Sequence, residues 1–423
     1  MRRRLLIGAG AAVIVAAGLA AAYVLHVRHE GRDIQGSSTV EFVPTIAAPA
    51  PVPKPKPGPN AKPGITWPMY GYEPARLRVA TGVALRPPFR LTWAFHARTL
   101  VEFPPAIAYG RLFVGTNAGA LDAIDVRTGK TAWTYESGRC EAMSPAVDRQ
   151  TVFATFLNTP PCNSGRGGLD GKLIAFAAGT GRLRWERTIG PSESSPLVEG
   201  GNVYVGDWNG AVYCFAEADG RLVWHFQADG KVKDGLAFSD GRVYFGTYGS
   251  KVYALAAGTG RLVWESSAQP RLGGSGTFYS TPAVAYDRVY IGSTDGKLYS
   301  YGASTGDLRW LQSTGGYVYA SPAVWRQRVY AGSYSGSFFC FDAATGAILW
   351  SFRANGAVSG SATIVAGRVY FSTLRGTTYA LDALTGREVW TFPDGQYSPV
   401  VADDDRLYLV GYSRIFALKE RRP

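Results

Sequence analysis

Charged residues are scarce in this chain, and so are the residues that hold metals and haem. Only 18% of the 423 residues are Asp, Glu, Lys or Arg, and there are four Cys and four His. Four cysteines are too few for a disulfide scaffold, and none is spaced as C-x-x-C or C-x-x-C-H. We therefore expect no metal site and no haem. With 46% apolar residues the chain is too hydrophobic to be disordered.

Long runs of basic residues are also missing, although the net charge is +12. An excess of Lys and Arg over Asp and Glu that is spread over a large domain is typical of a surface that keeps the protein soluble. We therefore expect no nucleic-acid partner.

The N-terminal sequence predicts that most of the protein is located outside the cytoplasm. Arg2, Arg3 and Arg4 precede an apolar run from Leu5 to Val27, which is long enough to span a bilayer. This predicts a cytoplasmic stub (1–4), a transmembrane signal-anchor (5–27) and a single-pass protein of the cell membrane whose bulk is extracytoplasmic. A signal peptide cleaved at Ala20–Ala22 is the alternative. Residues 28–64, rich in Pro and Lys, predict an extended linker.

Tryptophan recurs at roughly 40-residue intervals through the rest of the chain, which is typical of a repeat architecture. The repeating residues are Trp93, Trp133, Trp185, Trp224, Trp264, Trp310, Trp350 and Trp390. Each interval contains about four short alternating stretches separated by Gly turns, the pattern of one β-propeller blade. In seven units a Gly stands four residues before the Trp, where a tight turn needs positive φ. The Trp is expected to dock between adjacent blades.

The first Trp lacks that turn, whereas the C-terminal segment stops where one would begin. The eighth blade should therefore combine the strand at Arg90–Phe95 with three strands from the C-terminus, which closes the ring. The predicted fold is all-β: an eight-bladed propeller over residues 65–423, monomeric, preceded by one transmembrane helix.

The segment from Ala123 to Trp133, A-I-D-V-R-T-G-K-T-A-W, resembles the tryptophan-docking motif of the pyrroloquinoline-quinone (PQQ) repeat propellers. Phe341–Gly346 and Leu381–Gly386 repeat it, whereas two other copies carry Ala177 and Ala256 in place of Asp. The resemblance covers about residues 90–419. It implies the fold, but the family contains quinoprotein dehydrogenases, outer-membrane assembly lipoproteins and ectodomains without known catalysis.

The alternatives are therefore a PQQ-dependent oxidoreductase and a binding module. The resemblance implies that an enzyme would carry an adjacent Cys-Cys disulfide, a calcium ion held by Glu and Asn, and a catalytic Asp. The chain has no Cys-Cys pair, and its one acidic run, Asp403–Asp405, is best explained as a solvated turn. We therefore favour a non-catalytic scaffold, without cofactor, that binds a protein or glycan of the cell envelope.

Loop lengths predict which face binds. The two long insertions, Leu157–Leu169 and Ser266–Tyr279, fall on the face formed by the interblade loops and the loops between second and third strands. Cys140 and Cys162 lie on that face too and are expected to form a disulfide. Aromatic residues recur in the same loops and predict a partner site, although each could simply pack between blades; they are Trp208, Tyr248, Tyr279, Tyr319, Tyr334, Tyr397 and Tyr412.

Overall fold

Eight antiparallel sheets arranged as the blades of a propeller make up the protein in a computed structural model, which describes residues 15–21, 33–36, 64–162, 168–269 and 276–421. Short runs rich in Val, Tyr, Phe and Ile form the strands, and glycine-containing turns separate them. The second and third strands of the blades are mostly buried; the fourth is more exposed, as Leu262–Ser267 shows beside Arg242–Gly246 and Lys251–Ala256.

The strands follow one another from the channel outward in each blade. Blade 1 contains β4 (Ala106–Ala108), β5 (Arg111–Gly115), β6 (Ala120–Asp125) and β7 (Thr131–Glu136), and blade 2 contains β8 (Ala146–Asp148), β9 (Thr151–Phe156), β10 (Gly171–Ala177) and β11 (Leu183–Ile189). Blade 3 contains β12 (Leu197–Glu199), β13 (Asn202–Gly206), β14 (Ala211–Ala216) and β15 (Leu222–Gln227), and blade 4 contains β16 (Ala237–Ser239), β17 (Arg242–Gly246), β18 (Lys251–Ala256) and β19 (Leu262–Ser267). Blades 5 to 7 contain β20 (Ala283–Ala285), β21 (Arg288–Gly292), β22 (Lys297–Gly302) and β23 (Leu308–Ser313); β24 (Ala323–Trp325), β25 (Arg328–Gly332), β26 (Ser337–Asp342) and β27 (Ile348–Arg353); and β28 (Thr363–Val365), β29 (Arg368–Thr373), β30 (Thr377–Asp382) and β31 (Glu388–Phe392).

Blade 8 closes the ring, as the sequence predicts. Its strands are β32 (Val401–Ala402), β33 (Leu407–Val410), β34 (Arg414–Glu420) and, from the N-terminal side, β3 (Phe89–His96). β3 pairs antiparallel with β34, from Phe89 opposite Glu420 to His96 opposite Arg414. Pairing the two ends of the repeat leaves no gap in the ring at this point.

Seven of the eight repeated tryptophans dock on the glycine turn of the next blade. Trp185 Nε1 donates to the carbonyl oxygen of Glu217 at 3.0 Å, and its ring covers Gly220. A Cβ at Gly220 would lie 2.6 Å from Trp185 Cε3, and φ there is +69°. Glycine is thus required for two reasons: the backbone has a positive φ, and the indole leaves no space for a Cβ. The same ring-on-glycine contact joins Trp93 to Gly129, Trp133 to Gly181, Trp224 to Gly260, Trp264 to Gly306, Trp310 to Gly346 and Trp350 to Gly386.

Trp390, the last repeat tryptophan, has no such turn after it. It packs edge-to-face against Phe89, with ring centroids 5.3 Å apart.

Serine and threonine hydroxyls before the inner strands link neighbouring blades around the channel. The Ser321 N–H donates to Ser361 Oγ at 2.9 Å, and the Thr281 N–H donates to Ser321 Oγ at 3.0 Å. Blades 2 and 3 are joined likewise by Ser144 N–H and Ser195 Oγ, at 3.0 Å. These recurrent hydroxyls therefore have a structural role as acceptors between blades.

Residues 68–80 form a plug inside the channel, a feature that the sequence analysis did not anticipate. They follow β1 (Ile65–Trp67), which pairs with β4, and end in β2 (Val79–Ala80), which runs parallel to β28. The plug carbonyls accept backbone N–H groups from five blades; the pairs are Pro68 with Val147, Pro74 with Phe238, Ala75 with Val284, Leu77 with Val324 and Arg78 with Ile364.

Arg76 anchors the plug where blade 4 has Gly235 instead of the usual Ser or Thr. Its guanidinium is buried and donates to Leu236 O at 2.7 Å and to Pro196 O at 3.3 Å. A Cβ on Gly235 would lie 3.5 Å from Arg76 Nη2, an ordinary van der Waals distance, so the guanidinium packs directly over this glycine.

The described N-terminal residues are few. Residues 15–21 are helical, and no helix among the described residues is long and apolar enough to cross a membrane. Most of the predicted signal-anchor (5–27) and of the linker (28–64) lies outside the described residues. Within the linker, Ile34 forms an antiparallel bridge with Leu311 of β23, and Asp33 accepts a hydrogen bond from Ser313 N–H at 2.8 Å. These linker residues lie against the edge of blade 5.

Candidate functional site

A cavity of about 410 Å³ opens at the centre of the face that carries the interblade loops, and we call it the funnel. Its size is typical of small-molecule pockets. The lining combines aromatic, acidic and hydroxyl side chains with a single lysine; the residues are Tyr70, Glu102, Phe103, Lys233, Asp234, Tyr248, Tyr279, Tyr319, Tyr334, Ser359, Ser361 and Tyr397.

One register position supplies half of this lining. It is the residue four places before each inner strand, where the interblade loop reaches the channel mouth. In blades 1 to 8 the position is occupied by Glu102, Ala142, Glu193, Lys233, Tyr279, Tyr319, Ser359 and Tyr397. Blades 1 to 4 therefore present charged groups with one Ala, whereas blades 5 to 8 present three tyrosines and a serine. The funnel has a charged half and an aromatic half.

The aromatic half is a chain of rings in edge-to-face contact. Centroids lie 6.1 Å apart for Tyr248 and Tyr279, 5.3 Å for Tyr279 and Tyr319, and 4.9 Å for Tyr319 and Tyr334. The Tyr279 and Tyr319 rings are perpendicular, at 89°. Such packing fixes the rings, so the wall is preorganised.

Five tyrosine hydroxyls of the funnel differ from those of three tyrosines within the blades. Tyr244, Tyr290 and Tyr330 each donate to a carbonyl of the next blade, at 3.0 to 3.2 Å. Within the part of the chain that the structure describes, the hydroxyls of Tyr248, Tyr279, Tyr319, Tyr334 and Tyr397 have no protein hydrogen-bond partner. Five phenol groups on one cavity are thus free to bond a ligand or solvent.

The lysine of the charged half is held by both a carboxylate and aromatic rings. Lys233 Nζ lies 2.7 Å from Glu193 Oε1, which also accepts the Trp208 Nε1–H at 3.1 Å. The same ammonium lies 4.8 Å from the Trp208 ring centroid, 5.2 Å from that of Tyr248 and 5.3 Å from that of Tyr279. Burial raises the pKa of Glu193 to about 7, although the positive charge of Lys233 acts against this rise.

Two carboxyl groups of the lining, Glu102 and Asp234, and the buried Glu141 near Glu102 have a pKa that burial raises. Glu141, whose pKa lies well above its usual value, accepts the Met143 N–H at 2.8 Å. Asp234 accepts the Thr281 N–H at 2.8 Å, and Glu102 receives only a long contact from an Asn amide. Burial thus disfavours the ionised form of each of these carboxyl groups.

The plug supplies the floor of the funnel. Tyr70 places its hydroxyl 2.9 Å from Ser361 Oγ and 3.3 Å from Ser321 Oγ, on the hydroxyl ring of the inner strands. The guanidinium carbon of Arg78 lies 4.7 Å from the Tyr70 ring centroid. The channel is thus closed at this level by the chain's own aromatic residue.

The structure places five of the seven residues predicted for the partner site in the funnel lining: Tyr248, Tyr279, Tyr319, Tyr334 and Tyr397. Trp208 lies beside them through Lys233, whereas Tyr412 is 55% exposed and does not line the cavity. Cys140 and Cys162 are joined by a disulfide on the same face, and Cys214 and Cys340 are buried free thiols.

Sequence reasoning missed the charged half and the floor of the funnel. Glu102, Glu193 and Lys233 could have been found by aligning the interblade loops on the start of each inner strand, because they share a register with Tyr279. Tyr70 carries no such signal, since it belongs to no repeat.

Comparisons with known proteins agree on the fold. The model of the family described as outer membrane protein assembly factor BamB matches residues 83–195, 169–391 and 314–421. A 1-butanol dehydrogenase (cytochrome c) from Thauera butanivorans is 29% identical over 150 residues, which are 31% of this chain and 20% of that protein. BamB from Bordetella pertussis is 25% identical over 32% of this chain and 36% of its own length. The matched segment therefore spans well under half of either relative.

The crystal structure of BamB from Moraxella catarrhalis superimposes with a TM-score of 0.65 at 18% identity, covering 78% of this chain and all of that one. A likeness at this identity shows the shared propeller fold.

Proposed function

Because the chain belongs to the family described as outer membrane protein assembly factor BamB, a family of PQQ-repeat propellers, we propose that it is a membrane-anchored, extracytoplasmic binding module. In this proposal the Arg-flanked apolar run 5–27 anchors the chain in the cell membrane, and the propeller binds a protein or glycan of the envelope through the funnel face. The observation that carries the proposal is the convergence of five tyrosines with free hydroxyls on one cavity.

Two further features support the funnel face as the contact surface. The Cys140–Cys162 disulfide ties a long loop of blade 2 to the interblade loop beside the funnel. The Trp208, Lys233 and Glu193 cluster holds a large aromatic surface in place with an ion pair. Preorganised aromatic groups give contact area at low entropic cost.

The second candidate, a PQQ-dependent oxidoreductase, is favoured by relatives such as the butanol dehydrogenase. The residues present do not fit the quinone and calcium site that the resemblance implies. The disulfide joins cysteines 22 residues apart instead of neighbours, and Tyr70 of the plug closes the channel floor. Among the described residues, no three His, Cys, Asp or Glu side chains form a group that could hold a metal ion.

Crosslinking in intact cells followed by mass spectrometry tests the proposal. We expect Trp208→Ala with Tyr334→Ala to fold normally and to lose partner crosslinks. Trp325→Ala removes a half-buried tryptophan from the opposite face and serves as the matched control. Equal crosslinking by the double variant and the control would refute the assignment of the face. A protease that digests the propeller only from the outer side of spheroplasts would support the extracytoplasmic location; protection there would refute it.

A further inference from the structure

The funnel carries information about the chemistry of what it binds, and this inference rests on the proposed binding function. Its two halves are different: the register position that contributes Glu102, Glu193 and Lys233 in blades 1 to 4 contributes Tyr279 and Tyr319 in blades 5 and 6. A ligand seated between the halves meets hydrogen-bonding groups on one side and aromatic rings on the other.

Charge selects against strongly ionic ligands. Lys233, the lysine among the lining residues, is paired with Glu193 at 2.7 Å and caged by three rings, so an anion would have to displace a carboxylate to reach it. A cation would approach that same ammonium. Asp234 is held by the Thr281 and Gly235 N–H groups and is therefore stabilised without an external cation. The wall is suited to a neutral ligand with many hydrogen-bonding groups.

The free tyrosine hydroxyls add a further requirement. A phenol hydroxyl donates one hydrogen bond and accepts others, as a ligand hydroxyl does. The carbon atoms of the Tyr279 and Tyr319 rings, which lie at 89° to each other, also belong to this lining. The wall therefore offers apolar surface beside the hydroxyls. A sugar ring has both matching properties, with hydroxyls around its rim and an apolar C–H face.

We infer that the funnel binds a neutral sugar residue, with the Tyr279–Tyr319–Tyr334 wall against its C–H face and rim hydroxyls, and with Glu102 as a partner for hydroxyls on the opposite side. The sugar would be part of an envelope glycan or a free saccharide, and the two sources share this chemistry.

Calorimetric titration of the full-length chain in detergent tests this inference. The probes are two neutral disaccharides, cellobiose and N,N′-diacetylchitobiose, and two charged sugars, glucosamine and galacturonic acid. We expect saturable binding of at least one neutral disaccharide and much weaker binding of both charged sugars. A longer isolated glycan that contains the preferred unit then distinguishes an envelope glycan from a free saccharide. It should bind more tightly than the disaccharide only if the funnel binds the end of a glycan chain.

Variants that remove single polar atoms locate the site. Tyr319→Phe with Tyr334→Phe keeps both rings and should weaken binding about tenfold, through the loss of two hydroxyl contacts. Glu102→Gln should weaken it by about threefold to tenfold and serves as a second probe if the tyrosine pair affects folding. Tyr412→Phe, outside the cavity, is the matched control and should leave affinity unchanged.

Binding of a charged sugar alone, binding of none of the four probes, or equal affinity of Tyr412→Phe and the funnel variants would overturn the inference. If the titrations are blank while crosslinking still depends on Trp208 and Tyr334, the sugar inference fails and the proposed binding face stands. If crosslinking is also independent of the face, both fail.

Discussion

Replacing Gly220 with alanine should destabilise the propeller more than the same change at an otherwise similar glycine. Gly220 has φ +69°, and a Cβ there would lie 2.6 Å from the Trp185 ring; Gly241 has φ +71° with nothing within 4 Å of a Cβ. The left-handed backbone costs an alanine about 1–2 kcal/mol at either position. The overlap with a buried indole adds about 1–3 kcal/mol at Gly220 only. Gly220→Ala should therefore lower the free energy of unfolding by about 2–5 kcal/mol and Gly241→Ala by about 1–2 kcal/mol.

Urea unfolding followed by far-UV circular dichroism measures both values. A double-mutant cycle isolates the contact, because Gly220→Ala made in a Trp185→Ala background should retain only the backbone cost. Equal destabilisation by the two alanines, or no coupling in the cycle, would refute the docking explanation and leave the turn conformation as the sole reason for the glycine.

Three other predictions concern the funnel face. Replacing Cys140 and Cys162 with alanine should lower the free energy of unfolding by about 3 kcal/mol, because the disulfide closes a loop of 22 residues; a urea midpoint unchanged by the pair of substitutions would contradict this. The indole N–H signal of Trp208 in NMR should titrate with a midpoint near pH 7, because its acceptor Glu193 has a pKa of about 7, and Glu193→Gln should abolish that titration. Since this pKa lies above the ordinary value of 4.5, the folded state binds the proton more tightly, and the free energy of unfolding should fall as pH rises from 4.5 through 7. The contribution of Glu193 is the difference in free energy of unfolding between the parent chain and Glu193→Gln. A difference that stays flat over this pH interval, or that rises with pH, would refute the prediction.

The sequence by itself determined the architecture, since Trp and Gly recur with a fixed spacing that has a local physical cause. A bulky ring recurs once in every blade, and seven of the eight units also carry a glycine turn with positive φ, so eight tryptophans predict eight blades. One repeat unit is divided between the segment around Trp93 and the C-terminal strands. This division likewise predicts that the ring closes by the pairing of β3 with β34. Strand alternation and loop position also predict that the tyrosine-bearing loops share one face.

Only the tertiary structure decided how the channel is filled and what the funnel contains. The plug has no repeat pattern, because its partners are backbone groups of distant blades; Arg76, for example, bonds to Leu236 O. The packing of blade 5 against blade 4 brings Lys233 within 5.3 Å of the Tyr279 ring centroid, although the two residues are 46 positions apart in the sequence. The residues that form one blade follow a local sequence pattern and can be predicted from it. Contacts across the channel depend instead on the curvature of the whole ring, which no local pattern specifies.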